Sequence, residues 1–468
     1  MRVRDLRDLL SGDMAKIHRA LATRSDRESW LRRALGALRR WSEPSGPRVI
    51  KLPYCPPLAL FWSWRAPEPH APAQALHRAF LHEAWRERAP LARIALLARL
   101  ALLWLPVNAA ICAWSSALNA RAVKRCSGKG VARQLAEQLV LLAAHDLRAI
   151  SYYCFELYDD ALRRRAADYI QRSETKGGSY LLIKRFLPSQ SKLANKLRFF
   201  ERCEAHGIRS IPVLAVAEKG SLRVLAGDTL PRADLFVKPK NGRGGVGAEW
   251  WAYDGSRHLF RGSGGGTLPE SGLVAYLVAL ARHEAYVVGP RLANHPALAD
   301  LGNGALSTAR IVTILNEHGV PEATDAVFRM AIGSNRIVDN FHAGGLAASV
   351  DMKTGELGRA TDLGLRPEIG WRDAHPTGAV ITGRKLPFWP EALELAKRAH
   401  AAFADRVAIG WDVAFLADGP SLVEGNGGPD LDIHQRCART PVGATRLGEL
   451  LAFHTQRALE ARRAQEQR

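Results

Sequence analysis

Lysine, cysteine and methionine are all scarce in this chain. Of 66 basic residues only 14 are lysine, so arginine supplies 52. The six cysteines (Cys55, Cys112, Cys126, Cys154, Cys203 and Cys437) form no CxxC pair and no Cys/His spacing that would hold zinc tetrahedrally. Six thiols in 468 residues make a poor disulfide framework, and a reducing cytoplasm is the expected compartment. The start, Met1-Arg-Val-Arg-Asp, runs into mixed charge without the apolar run of a secretory signal. Internal repeats and low-complexity tracts are missing too. With 47% hydrophobic and 24% charged residues, the composition excludes disorder, a collagen-like fibre and a many-helix transporter.

What is present is positive charge, unevenly spread. The net charge is +20, and residues 1–150 carry 25 basic against 11 acidic side chains, a net of +14. This first third reads as helix, with Ala, Leu and Arg at helical spacing over 13–40 and 72–105 and an amphipathic run over 129–147. A Pro-rich break at 44–72 separates the first two, and seven of the twelve tryptophans precede residue 115. From Leu100 to Leu118 there are nineteen uncharged residues, LALLWLPVNAAICAWSSAL. That is barely enough to span a bilayer, and Pro106, Asn108 and the serines weaken it. A buried helix, a helix on a membrane surface and a spanning helix all remain readings of it.

After about residue 150 the texture changes. Residues 151–206 stay helical, with Gly207 as a C-cap. Strand-like runs follow at 211–217, 233–239, 245–253, 285–290, 307–316, 322–333, 345–352 and 411–426, with helices at 269–283, 388–406 and 444–466. The expected fold class is therefore α+β, rich in antiparallel hairpins, behind a mainly helical N-terminal region.

Two segments carry chemistry. In LFVKPKNGRGGVGAEWW (235–251) a strand ends at Lys238, and Gly242, Gly244, Gly245 and Gly247 follow. Such a loop lets backbone N–H groups close on phosphate oxygens while Lys238 supplies a point charge. It runs into a strand and lacks a GKS or GKT ending, so it is neither a Walker A loop nor a dinucleotide fingerprint. In WDVAFLADGPSLVEGNGGPD (411–430), folding a hairpin about Asp418 sets Asp412 opposite Glu424, with Asn426 on the same face. Two carboxylates and an amide oxygen with no basic neighbour in the hairpin suit Mg²⁺. Arg310 and Arg329 both lie mid-strand, where an unpaired guanidinium would be costly to bury. Arg310 is read as facing a phosphate; for Arg329 that reading stands beside pairing with Asp325 or Asp339. Asn340 and His342, in the loop VDNFHAGG, and His375, in HPTG, are weaker candidates for holding an acceptor.

These pieces together resemble the ATP-grasp superfamily and, in finer pattern, its sugar-transfer-associated branch, related to alpha-L-glutamate ligases. The matching segments are NKLRFFERCEAHGIRSIPV, LFVKPKNGRGGVG, YVVGPRLANHPAL, LSTARIVTILN, VDNFHAGGLAASVD, HPTGAVITGRKLPFW and IGWDVAFLADGPSLVEGNGGPDL, in order from about residue 150 to 435. The resemblance implies a nucleotide held between two subdomains, and a division into 1–150, 151–288 and 289–468. It implies that Lys196 and Lys238 meet ATP phosphates, that Val287–Leu292, including Val288, Gly289 and Leu292, edges the adenine, and that Asp412, Glu424 and Asn426 hold Mg²⁺. It assigns catalysis to Lys238, Arg310 and Arg329. Many such hinges carry Glu or Gln where this chain has Gly289-Pro290.

The implied activity is an ATP- and Mg²⁺-dependent ligase that activates a carboxylate as an acylphosphate for attack by an amine or other nucleophile, in cell-surface polysaccharide biosynthesis. A kinase for a sugar hydroxyl would use the same nucleotide site. A basic protein binding membrane or nucleic acid is the non-enzyme alternative. No nucleic-acid reading module appears, so the expected partner of the basic region is an anionic membrane, at the inner face.

Overall fold

The computed structural model describes residues 71–467, apart from 87–88, 188–190, 242–244, 334–335, 340, 342–343 and 365–369. The expected helix at 13–40, most of the Pro-rich break and Trp30, Trp41, Trp62 and Trp64 lie outside the described residues. By compactness the chain forms two units. One comprises the chain up to Leu187 with Thr361–Gly370 and Asp430–Arg468; the other comprises Pro188–Ala360 and Trp371–Pro429.

The first unit begins with α1 (Pro72–Arg86), α2 (Pro90–Ser127), α3 (Val131–His145), α4 (Ala149–Cys154) and α5 (Tyr180–Phe186). The helix expected at 72–105 is therefore two. α2 restarts at Pro90, in a first turn where a missing N–H costs no hydrogen bond. It then runs 38 residues, through Pro106, to Gly128, whose φ of +72° lets its N–H cap the Lys124 carbonyl. Asn108 Nδ2 donates to Trp104 O at 2.9 Å just beyond that proline. Leu100–Ser127 is the one segment among the described residues long and apolar enough to cross a membrane.

The second unit holds two antiparallel sheets. Asn195 caps α6 (Lys196–Ala205), accepting from Arg198 N at 3.1 Å. Then come β1 (Ala215–Glu218), β2 (Ser221–Val224), β3 (Leu235–Pro239), β4 (Glu249–Asp254), β5 (Leu259–Gly262), β6 (Thr267–Pro269), α7 (Glu270–Leu280) and β7 (Tyr286–Pro290). They form a sheet of order β2-β1-β7-β3-β4-β5-β6. Alternation decides its faces. Leu235, Val237, Trp251 and Val288 point to a core closed by Leu273 and Leu277 of α7. The other face carries Val216 and Val287 against Leu197 of α6, and leaves Phe236 and Lys238 half-buried.

The second sheet is built from β8 (Thr308–Leu315), β9 (Pro321–Met330), β10 (Leu346–Val350), β11 (Leu357–Thr361), β12 (Ala408–Leu416) and β13 (Gly419–Gly427), in the order β11-β10-β9-β8-β12-β13. α8 (Trp389–Ala402) covers one face. There His400 Nδ1 and Trp411 Nε1 both meet Thr313 Oγ1 at 2.7 Å, satisfying the buried hydroxyl. The opposite face carries Arg310 and Asp412.

The chain then returns to the first unit with α9 (Asp432–Ala438) and α10 (Arg446–Glu466), the latter packed along α1 and α5. Arg436, buried, pairs with Glu156 at 3.1 Å and donates to Thr361 Oγ1 at 2.9 Å and Cys154 O at 3.1 Å. One guanidinium thereby joins three segments distant in sequence.

Candidate active site

Strand register places the charged residues. In the β12–β13 hairpin Asp412 stands opposite Glu424, and Asn426 opposite Gly410. On the other side of β12, Arg310 of β8 is the register partner of Asp412. Thr308, two residues before Arg310, pairs with Arg329 of β9. Because side chains alternate, all of these project from one face. Gly410 makes room there: a Cβ would lie 3.0 Å from Arg310 Cδ and 2.9 Å from Pro429 Cβ.

The arginines are engaged. Arg310 binds Asp412 through both Nε and an NH2 group, the latter at 3.0 Å, as a bidentate pair. Arg329 reaches Asp412 at 3.0 Å and Asp339 at 3.2 Å, and donates to Thr308 Oγ1. Asp339 in turn accepts from Thr308 N at 2.8 Å. Of the two structural partners read for Arg329, Asp339 is the one that bonds it. Asp325 has a buried Oδ2 without a hydrogen-bond partner, and burial raises its carboxyl to about 7. Burial also pushes Asp412 up, but Arg310 and Arg329 more than offset this and hold it at about 2. For Asp339 burial prevails over Arg329, and its carboxyl is raised.

Two lysines approach from the first sheet and α6. Lys238, at the end of β3, is the register partner of Val287. Burial depresses its ammonium, with Glu424 first and Asp412 second pulling it back towards the charged form. Lys196 opens α6, and its backbone N–H donates to Lys240 O at 3.0 Å, fixing the helix start beside the end of β3. Its ammonium is lowered to about 8 by burial, against Glu424 and with the repulsion of Lys238. Asn426 Nδ2 donates to Glu424 Oε1 at 3.2 Å, which turns the amide oxygen away from that carboxylate. Lys196, Lys238, Arg310, Arg329, Asp412, Glu424 and Asn426 are thus one electrostatic cluster. Lys240 belongs elsewhere: it is ion-paired with Glu218.

The remaining sequence candidates divide. Gly242, Gly244, Asn340 and His342 lie outside the described residues. Gly245 and Gly247 form a turn at φ +75° and +73°. A Cβ on Gly245 would come within 2.6 Å of Val338, so the loop sits directly on the segment before Asp339. Val288 is built into the sheet between β1 and β3, its carbonyl accepting from Leu214 N at 2.8 Å. β1 stops pairing there, so the free edge of the segment begins at Gly289, where a Cβ would meet Pro212 O at 2.9 Å. Leu292, two residues past the strand, is half-buried. His375 is buried with Nε2 against Ala331 O and Nδ1 against Thr377 Oγ1, both at 2.9 Å, so its ring ties its own turn to the end of β9. Sequence reasoning missed the stacking of Arg291 on Trp250, 4.2 Å from guanidinium to ring centroid, beside the hinge. It also missed Thr308 as a support of Arg329; both lie across strands and leave no local pattern.

Among the described residues no group of three or more His, Cys, Asp or Glu side chains is set to hold a metal ion. At β12–β13 the two carboxylates offer hard oxygens that fit Mg²⁺ alongside phosphate oxygens and water, and the Asn426 amide, whose Nδ2 faces Glu424, would offer its oxygen on turning over. The surrounding lysines and arginines suit a polyanion rather than a bare cation.

The profile of the sugar-transfer-associated ATP-grasp proteins matches residues 186–442. The chain belongs to this family. Solved structures similar to this ATP-grasp protein include the L-amino acid ligase of Bacillus licheniformis, at 9% identity and a TM-score of 0.33, covering 57% of this chain and 50% of that one. The D-alanyl-alanine synthetase A of Vibrio cholerae is 12% identical, at a TM-score of 0.33 and 57% and 66% coverage. The D-alanine–D-alanine ligase of Bacillus anthracis complexed with ATP is 13% identical, at a TM-score of 0.32 and 58% and 68% coverage. The match thus takes in about half the length of the first of these. Curated protein sequences give no match.

Proposed function

We propose that this ATP-grasp protein is an ATP- and Mg²⁺-dependent ligase acting on a sugar-linked substrate in cell-surface polysaccharide biosynthesis. A substrate carboxylate oxygen takes the γ-phosphoryl group and ADP leaves; an amine then attacks the acyl carbon of the acylphosphate and expels phosphate. The observation that carries the reading is the convergence of two lysines and two arginines on the Asp412–Glu424 pair. Family membership supports the nucleotide, and the family's association with sugar transfer supports the substrate class.

In this reading Lys238, Lys196 and the backbone of the Gly245–Gly247 turn bind polyphosphate, and Gly289–Leu292 borders the base. Asp412, Glu424 and Asn426 would hold Mg²⁺, which when bound would supply positive charge against the phosphates. Arg310 and Arg329 lie where negative charge develops on a transferred phosphoryl group, fixed in advance by Asp412, Asp339 and Thr308.

A kinase passing phosphate to a sugar hydroxyl needs a base to take the hydroxyl proton, whereas a carboxylate nucleophile needs none. The test is ADP release with a panel of sugar-linked carboxylates and hydroxylamine as surrogate nucleophile. Hydroxamate, with carboxylate ¹⁸O recovered in phosphate, is the expected result. A stable phosphosugar without hydroxamate overturns it in favour of the kinase.

A further inference from the structure

Helix α2 changes partner halfway along. From Cys112 onward one face is buried, with Ser115, Ser116, Asn119, Ala120 and Val123 on it. Polar side chains of α3 and α4 close over it. Gln138 Nε2 donates to Ser116 Oγ at 2.8 Å, Gln134 Nε2 to Ala120 O at 3.0 Å, and Tyr153 OH to Gln134 Oε1 at 3.1 Å. Beyond the helix end, Lys129 fixes the junction through Glu137 at 3.0 Å and Asp160 at 2.7 Å.

At about 100° per residue, the same face continues towards the N-terminus through Leu105, Leu102, Ala101, Ala98, Ala95, Ile94 and Leu91. There no described residue covers it: Leu91 is 81% exposed, Leu102 73%, Ile94 63% and Leu105 61%. The stripe spans about four turns within a sector of roughly 120° and holds no charge, whereas Arg93 falls outside it by its spacing. A core helix would be mostly covered, whereas the leucines and isoleucine of this stripe are each more than 60% exposed. An exposed aliphatic face of this length marks an interaction surface.

We propose that the N-terminal half of α2 lies in the plane of an anionic lipid surface, its Leu91, Ile94, Leu102 and Leu105 face in the acyl boundary. Charge selects lipid as the occupant. The first 150 residues carry +14, and Arg121, Lys124 and Arg125 sit exposed further along the same helix. Spanning is disfavoured on both sides: the polar seam with α3 fixes residues beyond 112, and a span over 90–110 would set Arg99 near mid-bilayer. The placement is independent of the active-site reading and would bring a soluble site to substrates carried at a membrane.

The test is vesicle co-sedimentation of the full chain on phosphatidylcholine alone and on phosphatidylcholine with phosphatidylglycerol, across a salt series. The variants are Leu102→Glu/Leu105→Glu, and Val320→Glu in the second unit as an exposed apolar control. The wild type and the control should bind the anionic vesicles and keep part of that binding at about 0.5 M salt, and the double variant should lose about tenfold or more. Should the double variant melt early, Leu91→Gln/Ile94→Gln takes its place. Undiminished binding by the variants overturns the proposal. So does extraction by detergent only, which means spanning, or a variant that turns a dimer into a monomer without changing vesicle binding, which means self-association.

Discussion

Asp412→Asn should injure the fold and the reaction together, and the structure separates the two. The carboxylate is buried and neutralises Arg310 and Arg329; asparagine keeps its shape and removes its charge, so that each guanidinium loses one anionic contact. Breaking a buried pair by removing one side costs about 3–5 kcal/mol. The carboxyl is held at about 2, against roughly 3.9 in an unfolded chain, which gives a lower figure of about 2–3 kcal/mol. That contribution is complete above about pH 4 and is lost as the pH falls towards 2. At an unfolding entropy of about 2.1 cal/mol/K per residue, a loss of about 2–5 kcal/mol in a unit of about 230 residues lowers Tm by about 4–10 °C. Glu424→Gln should behave differently: Glu424 is half-buried and receives a hydrogen bond from Asn426, so its Tm should stay within about 2 °C. Both variants should abolish Mg²⁺-dependent ADP release. Adding Arg310→Met to Asp412→Asn should restore part of the lost Tm and none of the turnover. The assays are thermal unfolding by circular dichroism and coupled ADP release. An Asp412→Asn protein melting within 1 °C of wild type would refute the clamp, and near-normal turnover of either variant at saturating Mg²⁺ would refute the metal assignment.

Lys238→Ala should raise the KM for ATP by about 10- to 150-fold, the equivalent of one charged hydrogen bond, while Lys240→Ala, which loses only Glu218, should change it by less than about twofold. Equal small effects would return the Gly-rich segment to a plain hairpin. Because burial sets Lys196 at about 8, the KM for ATP should climb as the pH rises from 7 to 9 and the ammonium is lost. Lys196→Arg, charged throughout, should flatten the climb, and an unchanged slope would remove Lys196 from the phosphate site.

The hairpin that pairs Asp412 with Glu424 was legible from sequence because its turn signal lies at Ala417-Asp418, where Leu416 pairs with Gly419. That register alone would set Asp412 against Val423, and a bulge between Asp412 and Val413, which left no sequence signal, brings it to Glu424. Lys238 was legible for a similar local reason, at the junction of strand and Gly-rich loop. The clamp on Asp412 was not, since Arg310, Arg329, Asp339 and Thr308 come from different strands and a loop. Pairing order in a sheet is a non-local property. Short edge strands such as β2 and β6 escaped because three or four residues carry too little alternation. The helical spacing over 72–105 and the uncharged run 100–118 read as separate features, yet from Pro90 onward they form one helix, α2, that continues through Pro106 to Ser127; packing of its C-terminal half outweighs one missing N–H.

The Arg436 junction has a consequence for synthesis. The first unit draws its last two helices, α9 and α10, from the end of the chain, and the buried guanidinium that joins residues 156, 361 and 436 arrives with α9. All residues of the two-sheet unit leave the ribosome before then. At roughly 5–20 residues per second, the N-terminal helices wait about 15–55 s between the emergence of Leu187 and the completion of α10. The usual order, first domain first, is reversed. During that interval the side of α1 that packs against α10 stays uncovered on a nascent chain. That is a surface on which a ribosome-associated chaperone would act, and expression of this protein should be sensitive to its loss.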